Sequence, residues 1–92
     1  MHMETTSAVQ TSTFPITIAY NGTPKSLDVS PHELVSAVLQ RALHLFNIRD
    51  RPHVYALFRM NGEIVPDNVT VHAAGIVRHT ELILREKQVQ GG

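Results

Sequence analysis

Residues 30–47 read S-P-H-E-L-V-S-A-V-L-Q-R-A-L-H-L-F-N, and they are the only stretch of the chain whose pattern predicts a long helix. Apolar residues recur at positions 34, 35, 38, 39, 42, 43, 45 and 46, close to the helical period of about 3.6 residues. Ser30 and Glu33 have the spacing of a capping box, and Pro31 stands at the first helical position, where no N–H is needed. The pattern therefore predicts a helix over these residues whose broad apolar stripe packs against another element.

The segment before this helix has the pattern of a β-hairpin. Apolar and polar residues alternate from Phe14 onward, as in a half-buried strand. Asn21-Gly22 follows and predicts a two-residue turn, because both central positions of such a turn need positive φ. The returning strand is predicted over Lys25–Val29, so we expect the hairpin to turn one apolar face toward the helix.

The segment after the helix predicts further strands of the same sheet. A strand over residues 54–60 runs into a second Asn-Gly turn and a short strand over residues 63–65. Residues 69–76 predict a loop with a short helical turn whose apolar side chains close the edge of the core. A last strand is predicted over residues 80–86, which gives one helix packed on one sheet.

The outward face of this sheet is a candidate docking surface. We assign Leu57 and Arg59 to the outward face of the strand over residues 54–60, beside Ile83 and Arg85 of the last strand. A mixed apolar and cationic surface of this kind favours partner binding. The alternative is that these are scattered exposed side chains, which need no functional explanation.

Composition narrows the function classes. The chain has 92 residues and a formal net charge of zero, without clustered basic residues, which argues against nucleic-acid binding. It has no cysteine, and no apolar run resembles a membrane span or a signal peptide, so we expect a cytoplasmic protein without membrane contact. The domain is predicted over residues 13–87, between a flexible N-terminal tail, residues 1–12, and a flexible C-terminal tail, residues 88–92.

The order of these elements resembles a known family. The resemblance rests on five motifs: I-T-I at 16–18, L-D-V-S-P at 27–31, L-F-R-M-N-G-E-I-V-P-D at 57–67, T-E-L-I-L-R at 80–85, and the pair Gly91-Gly92. In this order they are similar to the ubiquitin family, over roughly Phe14 to Gly92, and to divergent modifiers of bacterial conjugation operons. The resemblance implies an α+β, ubiquitin-like β-grasp fold, with a mixed four- to five-stranded sheet packed on one long helix.

The resemblance also implies a function for the C-terminus. In this family an activating enzyme uses ATP and Mg²⁺ to activate a terminal glycine carboxylate, which is then joined to a target amine. Gly92, supported by Gly91, is accordingly the candidate covalent attachment site, and no cofactor is expected in this chain. The implied partners are an activating enzyme, a conjugating enzyme, a deconjugating peptidase and protein targets. Arg85 and Lys87 would present positive charge to the activating enzyme, the alternative being solvated charges at a strand end.

The sequence also departs from ubiquitin. The exposed apolar patch of ubiquitin has its centre at the position that matches Arg59, and its last-strand member matches Arg85. Partners that dock on that patch should therefore not recognise this chain. Lys25 and Lys87 are the only lysines, so we do not expect long lysine-linked chains. We expect the chain itself to be a monomer.

Two other functions of the same fold stay open at this stage. A sulfur carrier would bear a thiocarboxylate at Gly92, and a non-covalent interaction module would dock a partner through its sheet. The chain has no serine–histidine–acid set, glycine-rich phosphate loop or framed carboxylate pair, so we do not expect an enzyme. The histidines match no metal-ligand spacing, so we expect surface positions for them and no metal site.

Overall fold

The computed structural model describes residues 12–87. The predicted N-terminal tail, apart from residue 12, and the predicted C-terminal tail with Gly91-Gly92 lie outside the described residues. The elements follow the order β1 (Phe14–Tyr20), β2 (Thr23–Val29), α1 (Val35–Leu45), a short 3₁₀ helix (Pro52–Val54), β3 (Tyr55–Arg59) and β4 (Glu81–Glu86). The strands form one sheet in the order β2-β1-β4-β3.

The sheet is mixed, as the resemblance implies. β1 pairs antiparallel with β2 and parallel with β4, and β3 pairs antiparallel with β4. Helix α1 packs on this sheet, so the predicted α+β plan is confirmed. The short strand predicted over residues 63–65 contributes one isolated bridge, between Ile64 and Phe58, and the sheet therefore has four strands.

The β1–β2 hairpin follows from its turn residues. Asn21 and Gly22 have φ values of 52° and 81°, the positive values that a two-residue type I′ turn requires. The predicted turn is therefore confirmed. β2 begins at Thr23, two residues before the predicted start, because this tight turn lets the ladder begin with the Tyr20–Thr23 pair.

Two prolines occupy hairpin positions that do not need an N–H. Pro15 faces Asp28, and Pro24 faces Ala19. An antiparallel ladder leaves alternate pairs without mutual hydrogen bonds, and these are such pairs, because the backbone groups of Asp28 point away from β1. The Asp28 carbonyl instead accepts a hydrogen bond from Arg41 Nη2 at 2.6 Å.

One hydrophobic core lies between α1 and the sheet. The helix contributes Val35, Val38, Leu39, Ala42 and Leu43, and the sheet contributes Ile16, Ile18, Val29, Leu57, Leu82 and Leu84. Each fully buried large aliphatic side chain stabilises the fold by about 1.5–3 kcal/mol. The predicted loop over residues 69–76 is confirmed, because its buried Val71, Ala74 and Ile76 close the edge of this core.

The helix is shorter than predicted at both ends. Residues 30–34 are not helical, Leu34 is extended, and α1 ends at Leu45. Hydrogen bonds to the loop hold the segment before α1 in place: Val35 N–H donates to the Val69 carbonyl at 2.8 Å, and Val71 N–H donates to the Glu33 carbonyl at 2.8 Å. These bonds to a distant loop replace the first helical turn.

The predicted capping residues form a turn before the helix. The Ser30 N–H donates to Glu33 Oε1 at 3.3 Å, and the His32 N–H donates to Ser30 Oγ at 3.3 Å. Pro31 is therefore in this turn and not at a first helical position. Glu33 also accepts from Arg41 Nη1 at 2.7 Å, which links the turn to the exposed side of α1.

Candidate docking surface and the base of the C-terminal tail

β4 presents Ile83 and Arg85 on the outer face of the sheet, as predicted, while Leu82 and Leu84 are buried in the core. Phe58 of β3 lies opposite Ile83. The Arg85 guanidinium carbon lies 3.7 Å from the centroid of the Phe58 ring, which is a close cation–π contact. Phe58 is only 6% exposed, so a cation covers an aromatic ring at this point of the outer face.

Leu57 does not belong to the outer face. It is 2% exposed and pairs with Leu84 in the core, so the prediction of an outward Leu57 is wrong. The strand has apolar residues on both faces, and alternation alone does not say which face turns inward. The pairing of β3 with β4 decides it, since a shift of one residue exchanges the two faces.

Arg59 also lies on the core side of the sheet. It is half-buried, pairs with buried Leu82 across the strands, and donates a hydrogen bond from Nη2 to the Ala74 carbonyl. The prediction of an outward Arg59 is wrong for the same reason as that of Leu57. Arg59 connects β3 to the loop over residues 69–76, and its neighbour Phe58 is the residue that lies on the outer face.

Four residues define what we call the outer patch: Phe58, Ile64, Ile83 and Arg85. Ile64 forms the isolated bridge with Phe58 and is 51% exposed. Ile83 is half-buried beside the covered ring. The outer patch therefore combines three apolar side chains with one cation, and partner binding by Ile83 and Arg85 stays a prediction.

Lys87 marks the base of the C-terminal tail. Its backbone N–H donates to the Val54 carbonyl at 2.8 Å, which continues the β3–β4 pairing by one residue beyond β4. The side chain of Lys87 is exposed, and so is that of Glu86. The last described residue is thus still paired with the residue that precedes β3.

An aromatic cluster lies on the helix side of this end of the sheet. The ring of Tyr20 is 5.4 Å from that of Phe46 and 6.2 Å from that of Tyr55, centroid to centroid. The interaction with the neighbouring Tyr20 hydroxyl is the main cause that raises the pKa of Tyr55 to about 12, and burial and the carboxylates of Glu86 and Asp50 add to it. Sequence analysis did not identify this cluster, although Tyr20 and Tyr55 end and begin strands that the pattern did predict.

The described residues, 12–87, were also compared with what a metal site or a membrane span requires. His32, His44, His53, His72 and His79 are exposed, as predicted. No group of three His, Cys, Asp or Glu side chains in this part of the chain has the geometry to hold a metal ion. No helix in the same range is long and apolar enough to cross a membrane.

Comparison with known proteins supports the fold. No family model matches the chain, and no curated protein matches it by sequence. Among solved structures, ubiquitin of Caldiarchaeum subterraneum is 23% identical with a TM-score of 0.70, over 87% of this chain and 100% of that one. The EccD5 ubiquitin-like domain of Mycobacterium xenopi is 13% identical with a TM-score of 0.72, over 86% and 99%.

A designed protein based on ubiquitin gives the same result, with a TM-score of 0.72 at 17% identity over 89% of this chain and 98% of that one. All three structures are covered almost completely by this chain. Together they confirm the ubiquitin-like β-grasp fold that the resemblance implies.

Proposed function

We propose that this chain is a ubiquitin-like protein modifier of the cytoplasm whose Gly92 carboxylate is activated with ATP and Mg²⁺ and joined to target proteins. The observation that carries the proposal is the position of Gly91-Gly92, four and five residues after Lys87, on a chain with a ubiquitin-like fold. The carboxylate would displace pyrophosphate from ATP, a partner thiolate would displace AMP, and a target amine would displace the thiolate.

The residue types suit this chemistry. Glycine has no side chain and adopts φ values closed to other residues, so two glycines fit a narrow catalytic cleft. The chain has no cysteine, so the thiolates must come from activating and conjugating enzymes. Arg85 and Lys87 flank the tail and offer positive charge to the activating enzyme, and a deconjugating peptidase would cleave the product.

Intact-mass spectrometry after incubation with ATP, Mg²⁺ and host lysate tests the proposal. We expect heavier species that require ATP and that disappear when Gly91-Gly92 is deleted. The double substitution Gly91→Ala/Gly92→Ala keeps the length of the tail and should also be inactive, which separates glycine geometry from tail length. Full conjugation of the deleted chain would contradict the proposal, and a gain of one sulfur in place of oxygen would support the sulfur carrier.

A second candidate is a non-covalent interaction module. It is favoured by the similarity to the EccD5 protein, whose matching part is named as a ubiquitin-like domain. In that case the outer patch would dock the partner, and deletion of Gly91-Gly92 would leave binding unchanged. Ile83→Asp would weaken binding by such a module. If the chain is a modifier, deletion of Gly91-Gly92 instead abolishes every conjugated product.

A further inference from the structure

The sheet has a gap beside the base of the tail, where β4 extends beyond β1. The parallel β1–β4 pairs end at Ala19–Ile83, because the chain turns away at Asn21. β4 continues to Glu86, so its last residues have no β1 partner on that side. The gap forms a cavity of about 350 Å³ lined by Tyr20, Asn21, Tyr55, Ile83, Leu84, Arg85 and Glu86.

The pairing phase of β4 directs backbone groups into this gap. Lys87 N–H bonds to Val54, so residues 87, 85 and 83 are the ones that exchange hydrogen bonds with β3. Glu86 and Tyr55 form a non-hydrogen-bonded pair of the antiparallel ladder. The N–H and C=O of Glu86 therefore point away from β3, into the gap. No backbone partner for Glu86 on this side occurs within residues 12–87.

The two faces of β4 beside the gap carry opposite charges. Arg85 lies on the outer face, where its guanidinium rests on Phe58. Glu86 lies on the helix side, opposite Tyr55, and it lines the gap. A strand that entered the gap would therefore meet the cation of Arg85 on one face and the carboxylate of Glu86 on the other, since its side chains alternate between faces.

We propose that the enzyme that activates Gly92 adds a short extended segment to β4 in this gap, pairs its backbone with Glu86, and places adjacent acidic and basic side chains against Arg85 and Glu86. The inference rests on the proposed function and identifies how the enzyme would recognise the base of the tail. An added strand obtains affinity from backbone hydrogen bonds and specificity from its alternating side chains. The segment would hold the tail in line with the adenylation site.

Glu86→Pro tests the backbone contact. Proline removes the N–H that faces the gap and leaves the hydrogen bonds between β4 and β3 in place, because these come from residues 83, 85 and 87. Glu86→Ala is the matched control, since it removes the same carboxylate and keeps the N–H. ATP–pyrophosphate exchange, with the activating enzyme from the host, measures KM and kcat for each chain.

We expect the KM of Glu86→Pro to exceed that of Glu86→Ala by about tenfold with an unchanged kcat, because a partner carbonyl is left unpaired. Glu86→Ala itself should raise KM by about two- to threefold, and this increase should shrink at high salt. Equal KM values for the two variants would overturn the inference and leave the proposed function intact. Absence of exchange with the unaltered chain would overturn both.

A measurement on the unaltered chain covers the case in which Glu86→Pro does not fold. Amide hydrogen exchange of Glu86 should slow when the activating enzyme is added, whereas the amide of Ile83, already paired with β3, should not change. Glu86 exchange that stays fast in the complex would overturn the inference.

Discussion

The chain contains the dipeptide Asn-Gly twice, and the two copies fold differently. Asn21-Gly22 has positive φ at both residues and joins two strands of seven residues each. At Asn61-Gly62 only the glycine has positive φ, at 95°. Gly62 N–H donates to the Arg59 carbonyl, and Arg59 N–H donates to the Glu63 carbonyl, which is a three-residue loop with a bulge.

The difference shows that the dipeptide alone does not fix the turn. The Asn61 side chain accepts a hydrogen bond from the Glu63 N–H at 2.9 Å, which stabilises a local Asx turn. Pro66 then ends the returning segment after a single bridge. The first hairpin is therefore held by its ladder, whereas the second depends on side chains that pack in the core.

The largest effect should come from a core side chain of the second region. Leu57→Ala should lower the free energy of unfolding by about 2–5 kcal/mol, because it leaves a cavity in a packed core. Leu27→Ala in the first hairpin should cost only about 1 kcal/mol, since Leu27 is half-buried. Urea unfolding measures both, and equal losses would contradict the buried orientation of Leu57.

The two glycines should rank next. Gly22→Ala and Gly62→Ala should each cost about 1–2 kcal/mol, because alanine is strained at positive φ. A Cβ at either position has open space, so the cost is conformational. The loss should be larger at Gly62, whose φ of 95° is farther from the left-handed minimum than the 81° of Gly22. Thermal unfolding of the two variants checks this order, with each Gly→Asn variant as the milder control.

Substitution of Asn21 or of Asn61 should lower the stability of the protein, but for different reasons. Asn21→Ala should cost about 1 kcal/mol through positive φ, and Asn21→Gly should recover that loss. Asn61→Ala should cost about 0.5–1 kcal/mol through the lost acceptor, and Asn61→Asp should recover it. Recovery of both sites by the same substitution, in denaturant unfolding, would contradict the different turn types.

The smallest effect on stability should come from the contact between Tyr20, at the end of β1, and Tyr55, at the start of β3. The pKa of Tyr55 is raised to about 12, so the folded state favours the neutral phenol. This contribution to stability is complete below pH 10, the ordinary pKa, and is lost as the pH rises through about 12. Tyr20→Phe should lower the pKa of Tyr55 toward its ordinary value, measured by phenolate absorbance. An unaltered protein without a transition near pH 12 would contradict the raised pKa of Tyr55.

Local sequence patterns predicted which helices and strands form, whereas contacts with distant residues determine where they begin and end. The first hairpin was predictable because its turn residues and alternation lie within one short segment. The start of α1 was not, because hydrogen bonds from residues 69–71 replace the turn that Ser30 and Glu33 would have capped. No pattern within residues 30–47 contains those distant partners.

The candidate site divides in the same way. Ile83 and Arg85 were placed correctly because Leu82 and Leu84 give β4 a clear alternation. Leu57 was misplaced because β3 is apolar on both faces, and its orientation depends on pairing with another strand. Gly91 and Gly92, the proposed attachment residues, lie outside the described residues, and their role stays a prediction from sequence.

The open edge of the sheet has a consequence for behaviour at high concentration. β2 is an edge strand, the kind of element on which other chains can stack and begin to aggregate. Pro24 offers no N–H to such a chain, and Arg41 already occupies the Asp28 carbonyl. An incoming strand therefore finds fewer free groups along β2 than along an unprotected edge, and we expect less stacking of chains at this edge.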